Sequence, residues 1–192
     1  MFNDTSSSLT LLHSRRSGKA RDMIAPGPDA TQLDQILRAA VRVPDHGKLA
    51  PWRFVVVGAD QREALATLLT TAYRAEKPEA GRLEIEAMEQ FARQAPTLIV
   101  ALSSPVASSK ISLWEQQLSV GAACMNLLTA AHALGFVGNW LTGWPAYSDT
   151  VRDAFGGPED RIAGFFFIGS PTRDLEERPR PDFAAVVRHW NP

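Results

Sequence analysis

Apolar residues recur along this chain in two rhythms. From residue 33 the spacing is helical: Leu33, Ile36, Leu37 and Ala40 follow the i, i+3, i+4, i+7 rule. Asp29-Ala30-Thr31-Gln32 ahead of them is a capping-box sequence, and Pro44 predicts that the helix ends before it. Asp60 is the expected cap of a second helix with Leu65, Leu68 and Leu69 on its apolar face. A third, surface-like helix is expected over 79–94, stopped by Pro96. Residues 109–134 predict one long helix closed by Gly135; it is apolar on several faces, which places it centrally. Short helices are expected near Leu9, Leu11 and Leu12, stopping by Gly18, and over 149–155, ending at Gly156-Gly157. The continuous runs FVVV (54–57), TLIVAL (97–102) and IAGFFFI (162–168) read instead as buried strands, with a shorter strand over 136–140.

Helices with a few buried strands give an α+β or α/β architecture. A length of 192 residues, 45% hydrophobic and 21% charged, suits one domain with a core that needs no metal or disulfide staple. Residues 1–8, polar and serine-rich, read as a flexible leader, and residues 9–170 as the domain. Residues 171–192 form a tail carrying Pro171, Pro179 and Pro181, in which Phe183, Val186, Val187 and Trp190 call for burial. Packing on its own domain and wrapping a partner subunit satisfy that pattern equally.

A formal net charge of −1 offers no bulk field to draw in nucleic acid or anionic lipid. The single cysteine, Cys124, allows no internal disulfide and sits in an apolar stretch as core filler, so a reducing, cytoplasmic setting is the expectation. No apolar run has the length of a membrane span, and the first ten residues lack a signal peptide's apolar stretch. G-x-G-x-x-G, Walker A and G-x-S-x-G sequences are missing, and His13, His46, His132 and His189 have no metal-ligand spacing.

Three constellations could carry chemistry. Arg15-Arg16-Ser17 with Gly18 and Lys19 gathers two guanidiniums, a hydroxyl and an ammonium; it is either a phosphate grip or a solvated basic turn. In Arg42-Val43-Pro44-Asp45-His46, which leads to Pro51-Trp52, the prolines stiffen the loop. Arg42 and His46 could reach one ligand there, or His46 could be structural, bonded to Asp45. Gly138-Asn139-Trp140-Leu141-Thr142-Gly143-Trp144 combines close backbone approach with large apolar faces; it suits a planar ligand, or is a tight turn beneath buried tryptophans.

In order and interval these segments, together with Trp114-Glu115-Gln116 opening the long helix, resemble the nitroreductase-like flavoproteins, closest to their short bacterial branch. The resemblance extends from about Leu11 to Trp190. It implies an α+β three-layer sandwich with a central mixed sheet, an interlocked homodimer, and FMN at the subunit interface. By that resemblance Arg15, Arg16 and Ser17 hold the phosphate, and Lys19 contacts the N1/O2 side of the flavin. Arg42 and His46 reach in from the other subunit, while Trp140, Leu141 and Thr142 line the ring. The tail would then embrace the partner. Many relatives carry Gln before the Pro-Trp pair, where this chain has Ala50. The implied activity is ping-pong hydride transfer from NADH or NADPH, through flavin N5, to a small electron-poor acceptor such as a nitroaromatic or quinone, with no side chain assigned as the catalyst. A non-catalytic flavin sensor or carrier, an enone or quinone reductase of the same fold, and a flavin-free interaction protein are the other readings.

Overall fold

The computed structural model describes residues 2–107 and 110–191. Three expected end points, Met1 of the leader, Ser109 of the long helix and Pro192 of the tail, lie outside the described residues. The order is α1 (Ser8–Ser14), β1 (Met23–Ile24), α2 (Ala30–Ala40), β2 (Trp52–Val57), α3 (Arg62–Glu76), α4 (Arg82–Arg93), β3 (Thr97–Ser103), α5 (Leu113–Ala133), β4 (Val137–Leu141), α6 (Asp149–Phe155), β5 (Arg161–Pro171) and α7 (Phe183–Val186).

Helix ends follow from local chemistry. At α2 the Asp29 carboxylate accepts the Gln32 N–H at 2.8 Å, and the Gln32 side chain accepts the Asp29 N–H at 3.0 Å. Asp60 does not cap α3: it sits inside a 3-10 turn, Ala59–Gln61, whose Gly58 N–H is taken by the Gln61 side chain at 2.9 Å. Helix α4 starts three residues later than expected, where the Glu84 carboxylate accepts the Gly81 N–H at 3.0 Å. The buried Arg62 guanidinium donates to the carbonyls of Ala92, Gln94, Ala95 and Pro96 and so closes the far end of α4; burial pushes its pKa down to about 10. Helix α5 is capped by Ser112, whose Oγ accepts the Glu115 N–H. It ends in a Schellman arrangement: Gly135 N–H bonds to His132 O at 3.0 Å and Phe136 N–H to Ala131 O at 3.1 Å, with Gly135 at φ +87°.

Strands β2, β3 and β5 pair in that order, β4 takes the other side of β5, and β1 pairs with the end of β5. Every pairing among the described residues is antiparallel, so the parallel pair that a mixed sheet requires is not found among them. Side chains alternate between two cores. Leu98, Val100, Leu102, Phe165 and Phe167 face α3, α4 and α6, while Ile99, Ala101, Phe166 and Ile168 face α2 and α5. The result is an α+β fold of three layers, helices on both faces of one sheet. In β5 the register slips where Ala101 opposes Gly164 and Leu102 opposes Ile162, leaving Ala163 as a bulge.

Both ends of the chain make contacts with the domain. The leader is docked: Asn3 accepts the Arg16 N–H at 2.8 Å through its side chain, and its own N–H donates to Ser14 O at 3.1 Å. The tail is split. Thr172 N–H donates to Asp22 O at 3.0 Å, and Leu175 packs against the core, so this part lies on its own domain. Phe183, Val186 and Trp190 lie exposed beyond it.

Candidate functional site

A cleft of about 590 Å³ opens where residues 15–19, β4 and the tail meet. That volume suits a drug-sized ligand. Residues 15–19 follow α1 outside any helix or strand, fixed at Arg16 by the Asn3 side chain, and the Asn139 amide donates to the Gly18 carbonyl. Gly18 also lies close against Val137 and Met23. Beneath them is buried His132, whose Nε2 accepts the Gly138 N–H at 3.2 Å. Burial pushes its pKa down to about 4, with the Arg15 charge adding to the effect, so the ring is neutral near pH 7.

Arg15 and Arg16 stand in different surroundings. Arg15 Nη1 donates to Ser17 Oγ at 3.2 Å. Burial holds its pKa below the usual value, as do the like charges of Arg180 and Arg16. It has no carboxylate in salt-bridge range among the described residues. Arg16 is buried; its Nε donates to the Glu176 carbonyl at 2.6 Å and lies 3.7 Å from the Glu177 carboxylate. Lys19 completes this wall. Arg173, Arg178 and Arg180 of the tail line the same cleft.

Trp140 and Leu141 form the apolar side. The Trp140 indole N–H donates to the carbonyl of bulge residue Ala163 at 2.9 Å, and the ring packs on Phe166 at 5.1 Å. A Cβ on Gly164 would fall 2.1 Å from Trp140 Nε1, so glycine is required there for the indole to seat. Trp144 turns away from the cleft: its indole donates to Glu76 at 2.8 Å and its ring meets Tyr73 edge-on at 4.7 Å. Thr142 is exposed past the end of β4 and does not line the cleft.

Arg42 and His46 also lie outside this cleft, on a loop held against α5. Asn126 donates to Arg42 O at 3.0 Å, Ser119 donates to Pro44 O at 2.6 Å, and His46 Nδ1 is 2.7 Å from Glu115 Oε2. Asp45 does not hold His46. Its carboxylate accepts the Leu49 and Ala50 N–H groups at 3.1 and 2.8 Å, fixing a stretch where Gly47, Lys48 and Ala50 have positive φ. Of the nine sequence-derived binding residues the chain therefore gathers Arg15, Arg16, Ser17, Lys19, Trp140 and Leu141, and leaves Arg42, His46 and Thr142 apart.

Sequence reasoning missed the three tail arginines as parts of this site, and His132 as the buried support behind it. The only signal for the arginines was their density between residues 173 and 180, which local pattern reads as a solvated stretch. Among the described residues no group of His, Cys, Asp and Glu could hold a metal ion, and no helix is long and apolar enough to cross a membrane.

A family model described as "Nitroreductase family" matches residues 13–170. The Escherichia coli K12 protein named "Putative NAD(P)H nitroreductase YdjA" is 37% identical over 164 residues, covering 85% of this chain and 87% of its own. Among solved structures, a nitroreductase-like family protein from Bacillus cereus superposes with a TM-score of 0.80 at 19% identity, covering 97% of each chain. A Desulfovibrio desulfuricans protein described as a putative nitroreductase in complex with FMN gives 0.73 at 22% identity, over 97% of this chain and 99% of its own. The family match spans most of the chain and includes both the Arg15–Lys19 wall and β4, so the chain belongs to the Nitroreductase family.

Proposed function

We propose that the cleft binds FMN and that the protein is an NAD(P)H-dependent oxidoreductase acting on a small electron-poor acceptor, a nitroaromatic or a quinone. The observation that carries this is Arg15: a half-buried guanidinium beside the Ser17 hydroxyl, with like charges around it and no carboxylate partner among the described residues. An anion relieves that arrangement, and a phosphate ester matches the guanidinium fork. The FMN in the Desulfovibrio desulfuricans structure and the name of the Escherichia coli relative support the cofactor and the hydride donor.

On this reading Arg15, Ser17 and Lys19, with Arg16 behind them, form the wall for the phosphate and the polar edge of the ring. Trp140 and Leu141 supply its apolar lining, with Thr142 at the rim. When bound, the flavin supplies hydride transfer between a nicotinamide and the acceptor. Trp140 and Leu141 would orient the ring and Arg15 and Lys19 would place positive charge beside it; donor and acceptor using the one cleft in turn would give ping-pong kinetics. On the same reading Arg42 and His46, which lie away from their own cleft, serve the site of a second copy. Exposed Trp114 and Leu118 on α5, 66% and 54% accessible, and Trp190 in the tail, 83% accessible, are the apolar surface that such a homodimer would cover.

The test is an absorbance spectrum and an anaerobic titration. Protein mixed with FMN and desalted should keep close to one flavin per chain, lose its visible bands on addition of NADH or NADPH, and regain them with a quinone. Protein that emerges colourless, or holds flavin that neither nicotinamide bleaches, contradicts the proposal.

A further inference from the structure

Two adjacent arginines of identical chemistry meet opposite environments here. Resting on the flavin reading above, we infer that they divide the work: Arg15 is the cation that faces the ligand, and Arg16 is a positioning residue that lays residues 172–180 across the cleft.

The Arg16 side chain is only 11% accessible. Its Nε donor is committed to the Glu176 carbonyl at 2.6 Å, and its charge is met by Glu177 at 3.7 Å. Its own backbone is clamped from both sides by Asn3, which accepts the Arg16 N–H and donates to the Arg16 carbonyl. This is how a side chain that holds another segment is built. Glu177 extends the connection, because the same carboxylate oxygen lies 3.2 Å from Arg180 Nη2. A line of contacts therefore runs from Arg16 through Glu177 to Arg180 and keeps Arg180 at the cleft wall. The segment is also attached at its start, where the Thr172 N–H and hydroxyl both donate to Asp22 O, and at Leu175, which packs against the core. Arg15 shares none of these contacts. Among the described residues its side chain hydrogen-bonds only to Ser17, within its own turn, and it takes the repulsion of Arg16 and Arg180 without a carboxylate to answer it. Charge at Arg16 is thus spent on the fold, and charge at Arg15 is left for the ligand.

Proteolysis reads this directly, because the bond on the C-terminal side of Glu176 is built from the carbonyl that Arg16 holds. The full-length protein, without ligand, is treated with a glutamate-specific protease, and the initial rate of cleavage after Glu176 is followed by intact mass. FMN affinity is measured on the same preparations. Arg16→Ala should be cut about tenfold faster or more, as expected for loss of a hydrogen bond from a charged group at a locally opening segment. Arg15→Ala should be cut at the rate of the unaltered protein while losing FMN affinity. Arg16→Lys, which keeps a donor and a charge, should restore much of the resistance. Glu177→Gln, at an exposed position that cannot disturb the core, should speed the cut after Glu176 while leaving the fold intact. Unaltered cleavage rates in both Arg16→Ala and Glu177→Gln would overturn the assignment. So would equal acceleration in Arg15→Ala and Arg16→Ala. The proteolysis arm needs no flavin, so failure of the FMN reading would show only in the titrations.

Discussion

His46 Nδ1 lies 2.7 Å from Glu115 Oε2, which ties the middle of the Arg42–Ala50 loop to the first turn of α5. Asp45, next door in sequence, is used instead to hold the Leu49 and Ala50 N–H groups. The hydrogen bond from His46 is the largest influence holding the Glu115 carboxyl below its ordinary value of 4.5. A carboxyl lowered in the folded state adds stability that is present above its unfolded value and is lost as pH falls through the folded one. The tether should therefore hold at neutral pH and release below about pH 4.5. Glu115→Gln should show the released loop already at neutral pH, read as faster amide exchange over residues 46–50, with the core unchanged. Unaltered exchange there would contradict the tether.

His132 gives a second pH effect of opposite origin. Its folded pKa is pushed down to about 4 from an ordinary 6.5, so between those values the unfolded chain binds the extra proton. Stability from this group is therefore complete above pH 6.5 and falls as pH drops towards 4, by about 3 kcal/mol over the window. Denaturant unfolding at a series of pH values should show this loss. His132→Gln, which can still accept the Gly138 N–H, should flatten that part of the profile. An equally steep profile in the variant would contradict the assignment.

Gly164 is the third point of leverage. A methyl there would sit 2.1 Å from Trp140 Nε1, so Gly164→Ala must displace the indole from the Ala163 carbonyl. The expected cost is about 1–3 kcal/mol, as for overpacking elsewhere, seen as a lowered Tm. Weaker flavin binding should accompany it, because Trp140 lines the cleft. A variant with unchanged Tm and unchanged affinity would show that the indole seat is unimportant.

These positions also mark how far the sequence could be read. The capping box at Asp29, the apolar runs of β3 and β5, and the stop at Gly135 are local signals, and the structure uses each of them. Asp60 failed as a cap because a 3-10 turn with its own side-chain bond intervenes before α3. The bulge at Ala163 was invisible because it answers to Trp140, 23 residues away. In the candidate site, residues 15–19 could be named from charge density, but the tail arginines that join them are more than 150 residues further along the chain. No local window contains both. The partner of His46 is equally non-local, 69 residues distant, and nearness in sequence favoured Asp45 wrongly.

The central claim is that this cleft grips a flavin by its phosphate through Arg15, and comparing FMN with riboflavin tests it most directly, since the two differ only in that group. By titration, the unaltered protein should bind FMN about tenfold or more tightly than riboflavin, the scale set by hydrogen bonds between charged partners. Arg15→Ala should lose that preference while binding riboflavin as before. Equal affinities in the unaltered protein, or an undiminished preference for FMN in Arg15→Ala, would contradict the account.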